Sequence, residues 1–248
     1  MDSKSKLNKL ILKSAYITII VLIIAIIALL ILKYNVEGEK NMPFRLSNII
    51  VISSAEGYQE KENPEYIWDA EIYQTNDIYL SIEKNRNYEE TEIIKSIEIE
   101  NIRVTKLPEL GELKFYRISN TETNLFNYKE EFEIKNNVEY IGDVKTDLSN
   151  LKISNQGGTI IIRGINNLGK KYTSNDNEFE HNGLLLNKAG VYYEQIKSAI
   201  SFELVINLES DISFRAQIDI ELPSGDITKE GSSNIEIKDM KNIVFKRE

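Results

Sequence analysis

Residue types able to do chemistry are few in this chain, and their spacing is uninformative. His181 is the sole histidine and there is no cysteine. Imidazole-pair metal sites, thiolate zinc sites, disulfides and cysteine nucleophiles are therefore excluded together. A dyad built on His181 would need a serine elbow, which the surrounding NDNEFEHN does not contain, so a solvated loop histidine is the simpler reading. The same loop offers oxygen ligands for a hard cation in Asn175, Asp176, Asn177, Glu178 and Glu180. Their order departs from D-x-[DN]-x-[DN]-G, and calcium is not expected there. With 39 acidic residues, paired carboxylates for glycoside hydrolysis are available, but such pairing is spatial and abundance is no signal of it. No G-x-x-x-x-G-K-[ST], G-x-S-x-G or G-x-G-x-x-G occurs. Trp68, with Tyr66 and Tyr73 in PEYIWDAEIY, forms an aromatic cluster suited to a sugar or a partner. Tyr66, Trp68 and Ala70 also share a period-two face, which favours a core strand. Tyr192 and Tyr193 are open to the same two readings. No residue is assigned a catalytic, cofactor-binding or metal-ligating role, no cofactor is expected, and an enzyme is not the favoured reading.

The elements that must carry any such site are organised around residues 14–32, SAYITIIVLIIAIIALLIL, which contain no charge. At about 1.5 Å per residue this run makes a helix matched to a bilayer core of about 30 Å. Lys4, Lys6, Lys9 and Lys13 precede it, and Lys33, Lys40 and Arg45 follow. The positive-inside rule then puts the N-terminus in the cytoplasm. A cleaved signal peptide shares the basic-then-apolar order, but the run exceeds the usual h-region and no A-x-A-like site follows it. A buried core helix is the other alternative, disfavoured by length and by the lack of a polar face. The expected organisation is a cytoplasmic basic tail at 1–13, a transmembrane helix at 14–33, a stalk at 34–42 and an extracytoplasmic β-rich domain at 43–248. A net charge of −9 and a pI near 5.0 argue against nucleic acid as a partner.

Beyond the stalk, strands dominate. Residues 46–53 (LSNIIVIS) read as a strand buried on both faces, and 55–66 as a loop. Residues 77–84 alternate, with Ile78, Leu80 and Ile82 on one side and Asp77, Ser81 and Glu83 on the other. In 92–105 the apolar phase switches from Ile97 and Ile99 to Ile102 and Val104, which demands a bulge or corner near Glu100 and Asn101. Further strands are expected at 112–118 and 159–165, with weaker candidates at 132–134 and around Tyr140. A long polar loop is expected at 166–182, then a short helix capped by Asn182 and stopped at Gly190, and a further helical turn that places Tyr192 near Ile196. Residues 198–208 and 212–222 alternate throughout and predict a long antiparallel hairpin ended by Pro223. A flexible loop and a last strand at 243–246 complete the chain. About nine strands, one short helix and no βαβ rhythm give the fold class: all-β, mainly an antiparallel β-sandwich, behind a single N-terminal transmembrane helix.

The segments MPFRLSNIIVISSAEG, EIYQTNDIYLSIEKN, EIIKSIEIENIRV and SFELVINLESDISFRAQIDIELPSGDI resemble those of uncharacterised single-pass membrane proteins of clostridial-type Gram-positive bacteria. The resemblance runs from about Met42 to the end. It implies an extracytoplasmic β-rich domain and carries no activity and no functional residues. The expected role is a membrane-anchored binding or structural module of the cell envelope, with an envelope protein or cell wall as partner. The alternative is a carboxylate-dependent envelope hydrolase or glycan-modifying enzyme, which would need two buried, adjacent carboxyls with shifted pKa values in a concave pocket. A cytoplasm-facing domain is the third reading, should the modest charge bias not set the orientation.

Overall fold

The computed structural model describes residues 2–59, 65–119, 125–176 and 184–248, with side chains from residue 12 onward. Its first unit, residues 1–40, is built on helix α1 (Asp2–Glu37). Within it, Leu12–Glu37 is long and apolar enough to cross a membrane. The helix continues four residues past Lys33 into the segment expected to be a stalk.

The second unit, Asn41–Glu248, is a β-sandwich. Eleven strands are present among the described residues: β1 (Phe44–Tyr58), β2 (Trp68–Lys84), β3 (Ile94–Lys106), β4 (Glu112–Tyr116), β5 (Val138–Asp143), β6 (Lys152–Ser154), β7 (Gly157–Ser174), β8 (Ser198–Leu208), β9 (Ser213–Leu222), β10 (Ser232–Ile237) and β11 (Lys246–Arg247). They form a five-stranded sheet, β10-β1-β2-β7-β4, and a six-stranded sheet, β11-β9-β8-β3-β5-β6. Every pairing is antiparallel except β5 with β6.

The alternation that predicted the β8–β9 hairpin decides its packing. Phe202, Leu204, Ile206, Phe214, Ala216 and Ile218 face the main core, where they meet Ile49, Val51, Ile78, Leu80 and Ile162 of the other sheet. The turn places Asp211 at φ 61°, a left-handed conformation that Asp tolerates better than most residues. The phase switch in β3 also has a structural counterpart. Asn101 adopts φ 54° and the register with β8 shifts between Glu100 and Arg103, so the extra residue is absorbed there.

Strand β2, at about 3.3 Å per residue, runs to roughly 55 Å, longer than one core can cover. A second apolar cluster therefore forms at its far end, where Ile72, Leu168 and Ala55 pack on Leu185, Leu186, Val191, Ile196 and Ile227. These come from or adjoin three short helices, α2 (Leu184–Lys188), α3 (Tyr193–Ile196) and α4 (Ile227–Glu230). Between the two cores lies a buried polar row. Ser53 Oγ and Gln74 Nε2 donate to Asn76 Oδ1 at 2.8 and 3.3 Å, and Asn166 Nδ2 donates to Gln74 Oε1 and to the Leu110 carbonyl at 3.3 and 3.0 Å. These bonds offset part of the cost of burying the four side chains, while Asn76 Nδ2 and Asn166 Oδ1 are buried without a partner.

Several expectations are corrected. Strand β1 is covered on one face only, since Ile52 is 40% exposed, and it continues through the expected loop to Tyr58. Residues 166–174 are strand, not loop, because β7 pairs along the whole length of β2. The expected strand at 132–134 is replaced by a 3-10 turn, Glu130–Phe132. The expected flexible loop after Pro223 contains α4 and β10, and β10 pairs with β1 at the sheet edge. Helix α2 stops at Gly190, φ 71°, as anticipated, whereas its expected cap Asn182 lies outside the described residues.

Candidate functional site: a tyrosine-lined cleft on the five-stranded sheet

Register fixes which side chains share the outer face of the five-stranded sheet. Cross-strand neighbours give three rows: Glu56–Tyr73–Asn167–Glu112, then Ser54–Thr75–Ile165–Lys114, then Ile52–Asp77–Arg163–Tyr116. Strand β4 enters this array through Gly111 at φ 89°, where a Cβ would come within 2.4 Å of the Asn167 carbonyl oxygen. Over the third row folds the segment after β4, which seats Phe126 with Tyr116, Ile118, Ile161 and Ile165 in a small outer apolar cluster.

Arg163 clamps this cover to the sheet. Its guanidinium forms a two-pronged pair with Asp77, Nε to Oδ1 at 2.5 Å and Nη2 to Oδ2 at 2.7 Å. Nη1 donates to Tyr128 Oη at 3.0 Å, and the guanidinium carbon lies 4.4 Å from the centre of the Phe126 ring. Burial pushes the guanidinium pKa down, but the Asp77 carboxylate more than offsets it, and the group is held firmly charged. The Tyr128 ring stands edge-on to Tyr116, with centroids 5.5 Å apart.

The result is a cleft of about 520 Å³, a size typical of small-ligand sites. Tyr73, Thr75, Ile165 and Asn167 make its floor; Glu56 and Tyr58 stand on the β1 side, Glu112, Lys114 and Tyr116 on the β4 side, and Asn127, Tyr128 and Lys129 overhang it. Tyr58 and Tyr128 are 58% and 42% exposed, so two rings are presented to solvent at its margins. Burial raises the phenol pKa of both Tyr116 and Tyr128, which keeps them neutral donors near neutral pH. Glu56 Oε1 accepts from Thr75 Oγ1 at 2.9 Å, and Tyr73 Oη donates to Glu71 Oε2 at 2.8 Å. The lining carries two carboxylates and two ammonium groups, and its charges cancel.

Among the described residues singled out in the sequence, only Tyr73 joins this cleft. Trp68 opens β2 with its indole N–H donating to the Asp176 carbonyl at 3.0 Å, while Ala70 is buried in the strand. Tyr66 is 38% exposed and does not line the cleft. Asn175 Oδ1 accepts from the Ile67 amide at 3.3 Å, and Asp176 exchanges hydrogen bonds with Ser174. His181, Asn177, Glu178 and Glu180 lie outside the described residues. Tyr192 is exposed, and Lys197 covers the Tyr193 ring at 4.6 Å. Among the described residues, no group of three His, Asp or Glu side chains is placed to hold a metal. Tyr58, Tyr116 and Tyr128 were missed because they come from separate segments. A faint signal was available in the outward phase of Glu71, Tyr73 and Thr75 on β2.

The opposite outer face, on the six-stranded sheet, carries a different cluster. Arg215 bonds Glu100 and Glu203 through Nη1, each at 2.5 Å, and Glu248 through Nε at 2.8 Å. Arg215 holds the Glu100 carboxyl below the usual range. Burial first, then the adjoining Glu100 and Glu139, raises that of Glu98. A raised folded-state value means that Glu98 favours the fold at low pH, and that this contribution is lost as pH rises through the raised value. Glu98→Gln keeps the contact from Asn207 Nδ2 (2.6 Å) without the charge. It will raise the melting temperature near pH 7, and the gain will vanish below about pH 4.5, the ordinary glutamate value. Melting curves of both proteins across that range check this, and an equal gain in acid would show that charge is not the cause.

Set against known proteins, the chain matches no family model, no curated protein and no solved structure.

Proposed function

We propose that this chain is a membrane-anchored binding module of the cell envelope. Helix α1 spans the membrane with its N-terminus in the cytoplasm, and the β-sandwich lies outside, where the tyrosine-lined cleft engages another envelope component. The cleft carries this reading, because it is concave, has exposed rings and has convergent polar groups. The lysine bias before the apolar run supports the orientation. In cells carrying a tag after Glu248, external protease will remove the tag without lysis. Protection until lysis would reverse the topology. The solubilised chain will also co-purify with, or be retained by, an envelope fraction, and recovery of the bait alone from every fraction would count against a binding role.

A carboxylate-dependent hydrolase is the second reading, favoured by the opposite shifts of Glu98 and Glu100. Both groups are already engaged, by Asn207 and Arg215 respectively. Glu98 borders only a shallow depression of about 240 Å³. The Glu98→Gln variant separates the roles, since an acid catalyst would lose turnover of wall material where a structural carboxyl would only change stability.

A further inference from the structure

Resting on the binding reading above, we infer that the cleft takes a neutral, polyhydroxylated chain, that is, a stretch of uncharged glycan. Three observations point to this chemistry. First, the lining charges cancel, Glu56 and Glu112 against Lys114 and Lys129, so neither a polyanion nor a polycation gains net Coulomb attraction. Second, the exposed rings of Tyr58 and Tyr128 offer flat apolar faces, while carboxylate, ammonium, amide and phenol groups between them supply both acceptors and donors. A sugar ring has that dual character, with C–H faces that stack on aromatics and hydroxyl edges that both donate and accept. Third, the site is extended. Tyr58 lies six residues along β1 from Ile52, whose row contains Arg163 beneath Tyr128, so the groove runs about 20 Å at 3.3 Å per residue. That is room for several linked sugar rings rather than one.

A peptide fits less well. β2 and β7, which form the floor, have both edges hydrogen-bonded within the sheet, and the outer edge of β4 is engaged from Phe115 onward by Phe132 and Ile134, so the floor offers no strand edge for main-chain pairing. The floor also holds a single aliphatic side chain, Ile165, itself only 6% exposed, and no apolar hole for an anchoring residue.

The test uses the full chain in detergent micelles and insoluble wall fragments from its source cell, with Tyr58→Ala and Tyr128→Ala as variants. Both rings are solvent-exposed at the cleft margin, so the variants will fold, which a thermal melt verifies. Wild type will bind fragments stripped of protein by protease and hot detergent, and stripped of phosphodiester-linked anionic polymers by mild hydrofluoric acid. Binding will persist in 0.5 M salt (about 4 Å Debye length), and soluble neutral oligosaccharides released from the same fragments will compete for it. Each tyrosine variant will bind at least tenfold more weakly. Tyrosine-dependent retention that disappears with protein stripping would assign the cleft to a protein partner, and retention that disappears with acid treatment or salt would assign it to an anionic polymer. Either result overturns the glycan inference and leaves the binding module standing. Retention indifferent to both tyrosines, or absent from stripped and unstripped fragments alike, overturns both.

Discussion

Arg163→Ala will lower the unfolding free energy of the β-sandwich by about 3–5 kcal/mol, the usual cost of orphaning one member of a buried ion pair. The Arg163 and Asp77 side chains are only 19% and 15% exposed, and their contact is two-pronged. Removing the guanidinium leaves the Asp77 carboxylate facing the sheet without its cation. The same change removes the group stacked on Phe126 and the donor to Tyr128, so the cover over the cleft loosens and ligand retention falls with stability. An Asp77→Leu, Arg163→Met double variant will recover most of the stability, since no charge is left unpaired. It will not restore retention, because nothing then holds the Tyr128 hydroxyl. Urea titration of the full chain in micelles, followed by the fluorescence of Trp68 at the start of β2, measures the stability of both variants, and binding to wall fragments measures retention. A single variant within 1 kcal/mol of wild type would show that the pair is screened like a surface one.

Phe202→Ala will cost a similar amount, about 3–5 kcal/mol, by a different route. Its ring is 1% exposed at the centre of β8, paired in register with Ile218 of β9 and packed into the core between the sheets. The loss combines the transfer free energy of the ring with the unfilled volume it leaves. Phe202→Leu will recover most of it, and the denaturant slope will stay unchanged while the midpoint drops. Tyrosine-dependent retention will be intact wherever the variant is folded, because Phe202 faces the core and the cleft lies on the outer side of the other sheet. A cost below 1 kcal/mol would mean that the two sheets close around the vacancy.

The contrast between these sites bears on how much of the molecule could be read in advance. Phe202 and its neighbours were legible because strict alternation ties each residue to one face of a strand, and the same logic located the irregularity at Asn101. The cleft was not. Tyr58, Tyr73, Tyr116 and Tyr128 come from three strands and one covering segment, and nothing in their spacing says that they converge. Arg163 stood in the middle of the run TIIIRGI as a lone charge, and its meaning emerges only opposite Asp77.

The amino-acid sequence by itself determined what depends on each residue's immediate surroundings. It set an uncharged run long enough to cross a bilayer, the two-faced β8–β9 hairpin, the glycine stop of α2, and the exclusion of thiol and imidazole-pair chemistry. The tertiary structure alone decided which strands pair and how far they run. Strand β7 continues through a polar stretch because β2 supplies hydrogen-bond partners along its whole length, and β10 forms because β1 has an edge to complete. Ser53, Gln74, Asn76 and Asn166 look solvent-facing by type, yet are buried in one hydrogen-bonded row that still leaves Asn76 Nδ2 and Asn166 Oδ1 without a partner. Periodicity records the face a side chain occupies, whereas partner, register and convergence depend on contacts between segments distant along the chain, which no local pattern encodes.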